Sequence, residues 1–243
     1  MILTVTLNPS VDHALFVDGL KVSDTNRVLR TEVDAGGKGV NLSRVAGEMG
    51  AMSVATGFLG GGNAAFIRKV LTRQHVLHDF VDVKGDTRTN FSVEDGSGSP
   101  PTTFNERGPP IAEDEWGRLL EKIDHYAPRA RWVALGGSLP QGLPPDTYRI
   151  LVERIRGFGA RVVLDADGEP MRLGVAARPE FIKPNTREAE RLLGLGTPIG
   201  SLDAAIESAR SLVSTTGGLV IVSCGEMGAV AVEPDGAAWR GVS

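Results

Sequence analysis

The chain has 243 residues, 41% of them hydrophobic and 23% charged, the size and balance of one large globular domain with a full core. Its 26 Lys and Arg against 30 Asp and Glu leave a net charge of −4, which excludes a broad basic surface for nucleic acid or an anionic membrane, so any anion site must be built from local cations. A single cysteine, Cys224, excludes an internal disulfide and fits a reducing, cytoplasmic setting.

Met1 to Pro9 has no basic segment ahead of an apolar one, so no signal peptide is expected, and no apolar run approaches the ~18 residues of a membrane span. Ile2 to Leu7 is β-rich and halted by Asn8-Pro9, which predicts a first strand. Val11 to Asp34 shows no helical period and reads as short strands with polar turns. Asp34-Ala-Gly-Gly-Lys-Gly-Val-Asn41 follows, and then Leu42, Val45, Ala46 and Met49 at helical spacing, with Gly50 placed to end the helix. Residues 82–105 again lack a helical pattern and contain a loop by composition at 95–101. Helical spacing returns at Trp116, Leu119, Leu120 and Ile123, at Tyr148, Leu151, Val152 and Ile155, and at Leu202, Ala205, Ile206 and Ala209. Apolar strands are predicted between them at 132–135, 161–164 and 219–223. Strand then helix, repeated, predicts an α/β fold with a mostly parallel sheet covered on both faces.

Such sheets bind ligands beyond the carboxyl ends of their strands, and polar motifs stand at those ends. They are Asn8-Pro-Ser-Val-Asp12, Gly136-Gly-Ser-Leu-Pro140, Asp165-Ala-Asp167, Lys183-Pro-Asn-Thr-Arg-Glu188 and Ser223-Cys-Gly-Glu-Met-Gly228. Together they outline one long crevice. Gly36, Gly37 and Gly39 exceed the needs of a turn, let backbone approach a bound molecule, and open a helix whose N-terminus favours anions. Lys38 adds positive charge there and Asn41 an amide; a tight turn with a helix cap is the plainer reading. The motif is not a phosphate loop of the Walker type, because no Ser or Thr follows Lys38. Asp12 could hold two sugar hydroxyls or stand solvated in a turn. Arg88 and Asn90 alternate along a strand and so share a face, toward a ligand or toward solvent. Asn185 and Glu188 read equally well as N-cap and N3 of a capping box. His75 and His78 lack a third ligand nearby and read as a surface helix end, and Cys224 as a small core residue.

Taken in order, these residues resemble the ribokinase-like carbohydrate kinases of the PfkB family, and most closely its hexose-phosphate branch of 1-phosphofructokinases and tagatose-6-phosphate kinases. The resemblance runs from Thr4 to the end of the chain. It rests on Leu7-Asn-Pro-Ser-Val-Asp12, Gly36-Gly-Lys-Gly-Val-Asn41, Thr87-Arg-Thr-Asn90, Gly137-Ser-Leu-Pro140, Lys183-Pro-Asn185 with Glu188, and Ser223 with Gly225 and Gly228. It implies a ribokinase-like α/β domain over residues 1–243, with a small β-lid from about 11–34 and 82–105 and a homodimer formed through the lids.

The resemblance also implies phosphorylation of a ketohexose phosphate using ATP and Mg²⁺, with no nucleic-acid or membrane partner. Fructose 1-phosphate, giving fructose 1,6-bisphosphate, is the leading substrate, with tagatose 6-phosphate and fructose 6-phosphate as alternatives. Asp12, Gly37, Lys38 and Asn41 would hold the sugar, with Ser138 near it. Arg88 with Asn90 would meet the phosphate already on the substrate, and Arg27 would add a second cation, from within the chain or across a dimer. Lys183, Asn185 and Glu188 would face the ATP phosphates and the hydrated Mg²⁺, Glu188 acting through water. Ser223, Gly225 and Gly228 would flank the nucleotide. The family's base is an Asp in a Gly-Ala-Gly-Asp motif, which these residues do not contain. Its expected place, with the last part of the fold, lies beyond Ser243, and Asp165 and Asp167 do not stand at a matching position. A chain that binds sugar phosphate without turnover is the alternative expectation.

Overall fold

The computed structural model describes residues 1–98 and 100–242. Ser99, inside the loop expected at 95–101, and Ser243, beyond which the resemblance puts the base, lie outside the described residues. The chain begins with β1 (Ile2–Thr6), β2 (Ser10–Val17), β3 (Val28–Gly36), α1 (Lys38–Glu48), β4 (Ser53–Leu59) and α2 (Gly61–Arg73). It continues through the short β5 (Leu77–His78) and β6 (Val81–Asp82) to β7 (Arg88–Glu94), β8 (Thr102–Asn105) and α3 (Glu113–Tyr126). Next come β9 (Trp132–Gly136), α4 (Thr147–Gly157), β10 (Arg161–Asp165), α5 (Gly168–Ala176), β11 (Phe181–Ile182) and α6 (Thr186–Leu193). Last are α7 (Leu202–Thr216), β12 (Leu219–Ser223), β13 (Ala229–Val232) and β14 (Ala238–Gly241).

The main sheet has the order β14-β13-β12-β11-β10-β9-β1-β4-β5, with β6 also pairing β4. It is parallel from β5 to β12 and ends in the antiparallel strands β13 and β14. This is the α/β class expected, a central sheet flanked by helices. The strand order reverses at β1, which has β4 on one side and β9 on the other, so Thr6 stands opposite both Gly57 and Gly136. A crevice at such a switch point is where open parallel sheets take their ligands.

Alternation along the strands sorts the core between two faces. Leu3, Val5, Leu7, Val133, Leu135, Val162, Leu164, Val220 and Val222 are buried in one cluster with residues of α3 to α7. On the other face, Val40 of α1, Ala55 and Leu59 of β4, and Ile67 and Leu71 of α2 form a smaller cluster. Val163, Phe181, Leu219 and Ile221 alternate with the large cluster's residues and are only half-buried. Small residues bring α1 close to β1. Val40 N donates to Thr6 Oγ1 at 3.0 Å, Thr4 Oγ1 and Ser43 Oγ are 2.8 Å apart, and a Cβ on Gly39 would stand 2.5 Å from Thr6 Oγ1. No helix among the described residues is long and apolar enough to cross a membrane.

A second, four-stranded sheet has the order β3-β2-β7-β8. The chain enters it from the end of β1 and returns to it after β6. The parallel pairing of β2 with β7 sets Ser10 opposite Arg88 and Asp12 opposite Asn90, which joins two motifs far apart in the sequence.

Candidate active site

Asn8 lies just past β1, is 4% exposed, and ties three segments together. Its Nδ2 donates to Arg107 O at 3.0 Å and to Ser138 Oγ at 3.1 Å. Its carbonyl accepts from Arg88 Nε at 3.2 Å. Gly108 has φ +82°, and a Cβ there would meet Asn8 Oδ1 at 2.1 Å, so this turn admits only glycine. Arg88 Nη1 donates to Glu106 O at 2.9 Å, and Glu106 in turn accepts from Thr89 N at 2.8 Å. The guanidinium is thus fixed by backbone carbonyls and half-buried. Burial pulls its pKa below the ordinary value, the charges of Asp12 and Glu106 oppose that shift, and a guanidinium stays protonated at neutral pH. Arg88 and Ser138 line a shared cavity with Asn8, Glu106 and Arg107.

Beside them, Ser10 Oγ donates to Asp12 Oδ1 at 2.7 Å, and Asn90 Nδ2 donates to the same oxygen at 2.9 Å. Asn90 Oδ1 is buried without a hydrogen-bond partner among the described residues. Such an orphan acceptor costs free energy unless a ligand or water donates to it. Asp12 Oδ2 lies over Gly36, where a Cβ would stand 2.1 Å from it. Gly37 has φ +118° and caps α1 without a side-chain hydrogen bond, and a Cβ on it would meet Thr6 Cγ2 at 2.7 Å. The glycine run therefore serves close packing on the chain itself as well as an open helix start. Asn41 is exposed in the first turn of α1.

Lys38 pairs with Asp165 at the end of β10, and Lys183 Nζ lies 3.6 Å from the second Asp165 oxygen. Between them opens a cavity of about 100 Å³ with Leu42, Val163 and Phe181 on its apolar wall. At the end of β11, Asn185 caps α6. Its Oδ1 accepts from Glu188 N at 2.9 Å, and Glu188 Oε2 accepts from Asn185 N at 2.8 Å, so the capping box is formed. Ser223 bridges to Asn185 and donates its N–H to Pro184 O at 3.1 Å. Gly225 and Gly228 turn the chain into β13 with φ +58° and +97°, and a Cβ on Gly228 would meet Gly241 O at 2.0 Å. Cys224 is buried, which raises its thiol pKa.

Tyr148, fully buried, donates from its hydroxyl to Gly137 O at 2.9 Å. Burial and then the charge of Asp165 push its phenol above the ordinary value, so it remains a neutral donor. Tyr148→Phe should cost about 1–2 kcal/mol by leaving Gly137 O unpaired. It should also loosen the turn that carries Ser138. Chemical denaturation measures the first effect, and amide hydrogen exchange at Ser138 the second.

Most of the residues singled out in the sequence thus line the carboxyl ends of β1, β9, β10, β11 and β12. Arg27 does not. It is exposed at the far tip of the β2–β3 hairpin, roughly 23 Å from Asp12 at ~3.3 Å per residue. The sequence reading gave no role to Glu106, Arg107 or Ser10, or to Asp165 as the partner of two lysines. The strand-end rule reaches Glu106 and Arg107 only once β8 is known to be a strand.

The family profile described as pfkB family carbohydrate kinase matches residues 5–240. Among solved structures, phosphofructokinase-2 from Escherichia coli in complex with fructose-6-phosphate is 26% identical with a TM-score of 0.90, the match covering 99% of this chain and 79% of that one. A putative phosphofructokinase from Staphylococcus aureus is 35% identical with a TM-score of 0.74, covering 96% of this chain and 74% of that one. A possible 1-phosphofructokinase from Thermotoga maritima is 26% identical with a TM-score of 0.85, covering 98% and 76%.

Proposed function

The chain belongs to the pfkB family of carbohydrate kinases, and from that premise we propose that it phosphorylates a ketohexose phosphate with ATP, fructose 1-phosphate being converted to fructose 1,6-bisphosphate. The observation that carries this reading is Arg88. Its guanidinium is preorganised by Asn8 O and Glu106 O beside Ser138, which suits bidentate recognition of a phosphate already on the substrate. The Asp12 carboxylate and the orphan Asn90 Oδ1 suit sugar hydroxyls, which donate as well as accept. Gly37 and Asn41 border the same ground at the start of α1.

Lys183 suits the phosphates of the nucleotide, with Ser223, Gly225 and Gly228 along its flank; Lys38, which the resemblance gives to the sugar, meets Lys183 at Asp165, and we therefore place it between the sugar and those phosphates, within reach of both. Glu188 spends one carboxylate oxygen in the capping box, and the other has no hydrogen bond among the described residues, which fits a hydrated Mg²⁺ held through water. Bound Mg²⁺ would neutralise charge on the phosphates. The chain's own groups then do what phosphoryl transfer asks of a protein: they position the acceptor sugar, hold its phosphate, and gather cations where negative charge spreads.

An ADP-release panel tests the reading with fructose 1-phosphate, fructose 6-phosphate, tagatose 6-phosphate and unphosphorylated sugars, run beside calorimetric binding of each. Preference for a phosphorylated ketohexose supports it, and preference for ribose or a nucleoside sinks it. The sequence holds no Gly-Ala-Gly-Asp motif, and binding without ADP release would favour the second reading, a sugar-phosphate-binding chain without turnover.

The small sheet also supports a homodimer. β3 is an edge strand of that sheet, and Leu29, Val28 and Val33 on it are 71%, 48% and 43% exposed, with Phe104 of β8 at 59%. Apolar side chains on an open edge are a liability unless covered. Sedimentation at micromolar concentration should give a dimer, and Leu29→Asp a monomer; a monomeric parent chain would contradict the proposal. Because Arg27 lies so far from Asp12 within one subunit, its role at a substrate would have to be played across that dimer.

A further inference from the structure

Asp165 is where two motifs distant in the sequence meet. Lys38 follows the glycine turn at the start of α1, and Lys183 follows β11, yet each reaches one oxygen of this carboxylate. Neither lysine has another carboxylate partner among the described residues. The carboxylate is the fixed member of the trio. Leu164 beside it is fully buried, and Asp165 O accepts from Gly137 N at 3.0 Å. The Asp165 side chain is 22% exposed, while those of Lys38 and Lys183 are 43% and 46% exposed and lie on flexible stems.

Two ammonium groups brought to one place repel each other, and a carboxylate between them removes that repulsion and leaves one uncompensated positive charge. Partly exposed ion pairs of this kind are weak, so a phosphate of higher charge can displace the carboxylate from both lysines. The carboxylate and the phosphates therefore compete for the same two cations.

We propose, resting on the kinase reading above, that Asp165 is a positioning residue that acts as an internal counter-ion. It keeps Lys38 and Lys183 together at the carboxyl end of β10 and yields both to the phosphates of the bound nucleotide, which limits how tightly they are held. The lysines stay gathered when no phosphate is present, and the returning carboxylate helps the spent nucleotide leave.

The test uses the full chain and its Asp165→Asn and Asp165→Glu variants. Calorimetry measures ADP binding with and without Mg²⁺, and mass spectrometry measures acylation rates at Lys38 and Lys183. Asp165→Asn should bind Mg²⁺-free ADP about five-fold tighter, because a like charge near the phosphates is gone. Its two lysines should acylate about three-fold faster, because the carboxylate no longer holds either amine in an ion pair. Asp165→Glu, which keeps the charge, should stay near the parent chain on both readouts. Weaker ADP binding by Asp165→Asn, or a loss seen only with Mg²⁺, would overturn the inference, the latter pointing to a metal ligand. Unchanged acylation would overturn it as well. A parent chain that binds neither ADP nor sugar phosphate would instead overturn the kinase reading, and this inference with it.

Discussion

Arg88→Ala should lower affinity for fructose 1-phosphate by about 100-fold, on the order of 2.7 kcal/mol, while unphosphorylated fructose binds within about two-fold of the parent chain. Hydrogen bonds between charged groups contribute about 1.5–3 kcal/mol each, and a guanidinium fork makes two of them to a phosphate. Arg88 needs no reorganisation to do this, since Asn8 O and Glu106 O already hold it. Arg88→Lys should fall between the two, keeping the charge and losing the fork. The unphosphorylated sugar serves as the internal control for folding, because it probes Asp12 and Asn90 without the phosphate. Calorimetric titration of both sugars checks the prediction, and equal losses for the two would refute the role given to Arg88.

The second large effect falls on stability. Gly57 sits in β4 opposite Thr6 with φ +141°, and a Cβ there would stand 1.9 Å from Thr6 O and 2.7 Å from its carbonyl carbon. Those are backbone atoms of the central strand and cannot swing aside as a side chain would. Gly57→Ala must therefore part β1 from β4 at the switch point, costing about 3 kcal/mol or more. For a chain of this size that lowers the melting temperature by roughly 6–12 °C. Gly62→Ala is the control: it lies in α2 with nothing within 4 Å of the added Cβ, and should be neutral or stabilising by up to about 1 kcal/mol. Thermal and denaturant unfolding of the two variants decide the matter. A Gly57→Ala chain as stable as its parent would show that the two strands can separate at no cost.

Much of the architecture was legible because its signals are local. The predicted strands at 132–135, 161–164 and 219–223 match β9, β10 and β12 to within a residue at either end. The helical spacings at Leu42, Trp116, Tyr148 and Leu202 fall in α1, α3, α4 and α7. Three helices were not legible from spacing in this way: α6 showed only in Asn185 and Glu188 at its start, and α2 went unread although Ala64, Ile67 and Leu71 stand at i, i+3 and i+7. The α2 helix opens on Gly61-Gly62 behind Gly60, with no side-chain cap, so the residues that announce a helix start are missing. Only nine residues long, α5 buries just Met171, Gly174 and Val175, too few to set a period.

The sequence by itself determined the kinds of chemistry present. A glycine turn with a lysine, a carboxylate past the first strand, an arginine and an amide on one strand face, and a capped helix start are all properties of a few adjacent residues. Only the tertiary structure decided which of these meet. The parallel pairing of β2 with β7 puts Asp12 against Asn90. The antiparallel pairing of β2 with β3 lays Gly36 against Asp12, and the packing of α1 on β1 lays Gly39 against Thr6. Asp165 joins Lys38, 127 residues away, to Lys183, while Arg27, close to Asp12 in sequence, ends at the other tip of its hairpin. The physical reason is the range of the forces. Propensity, capping and alternation act over a turn or a strand, whereas strand order and long-range side-chain encounters follow from how the whole chain buries its apolar faces.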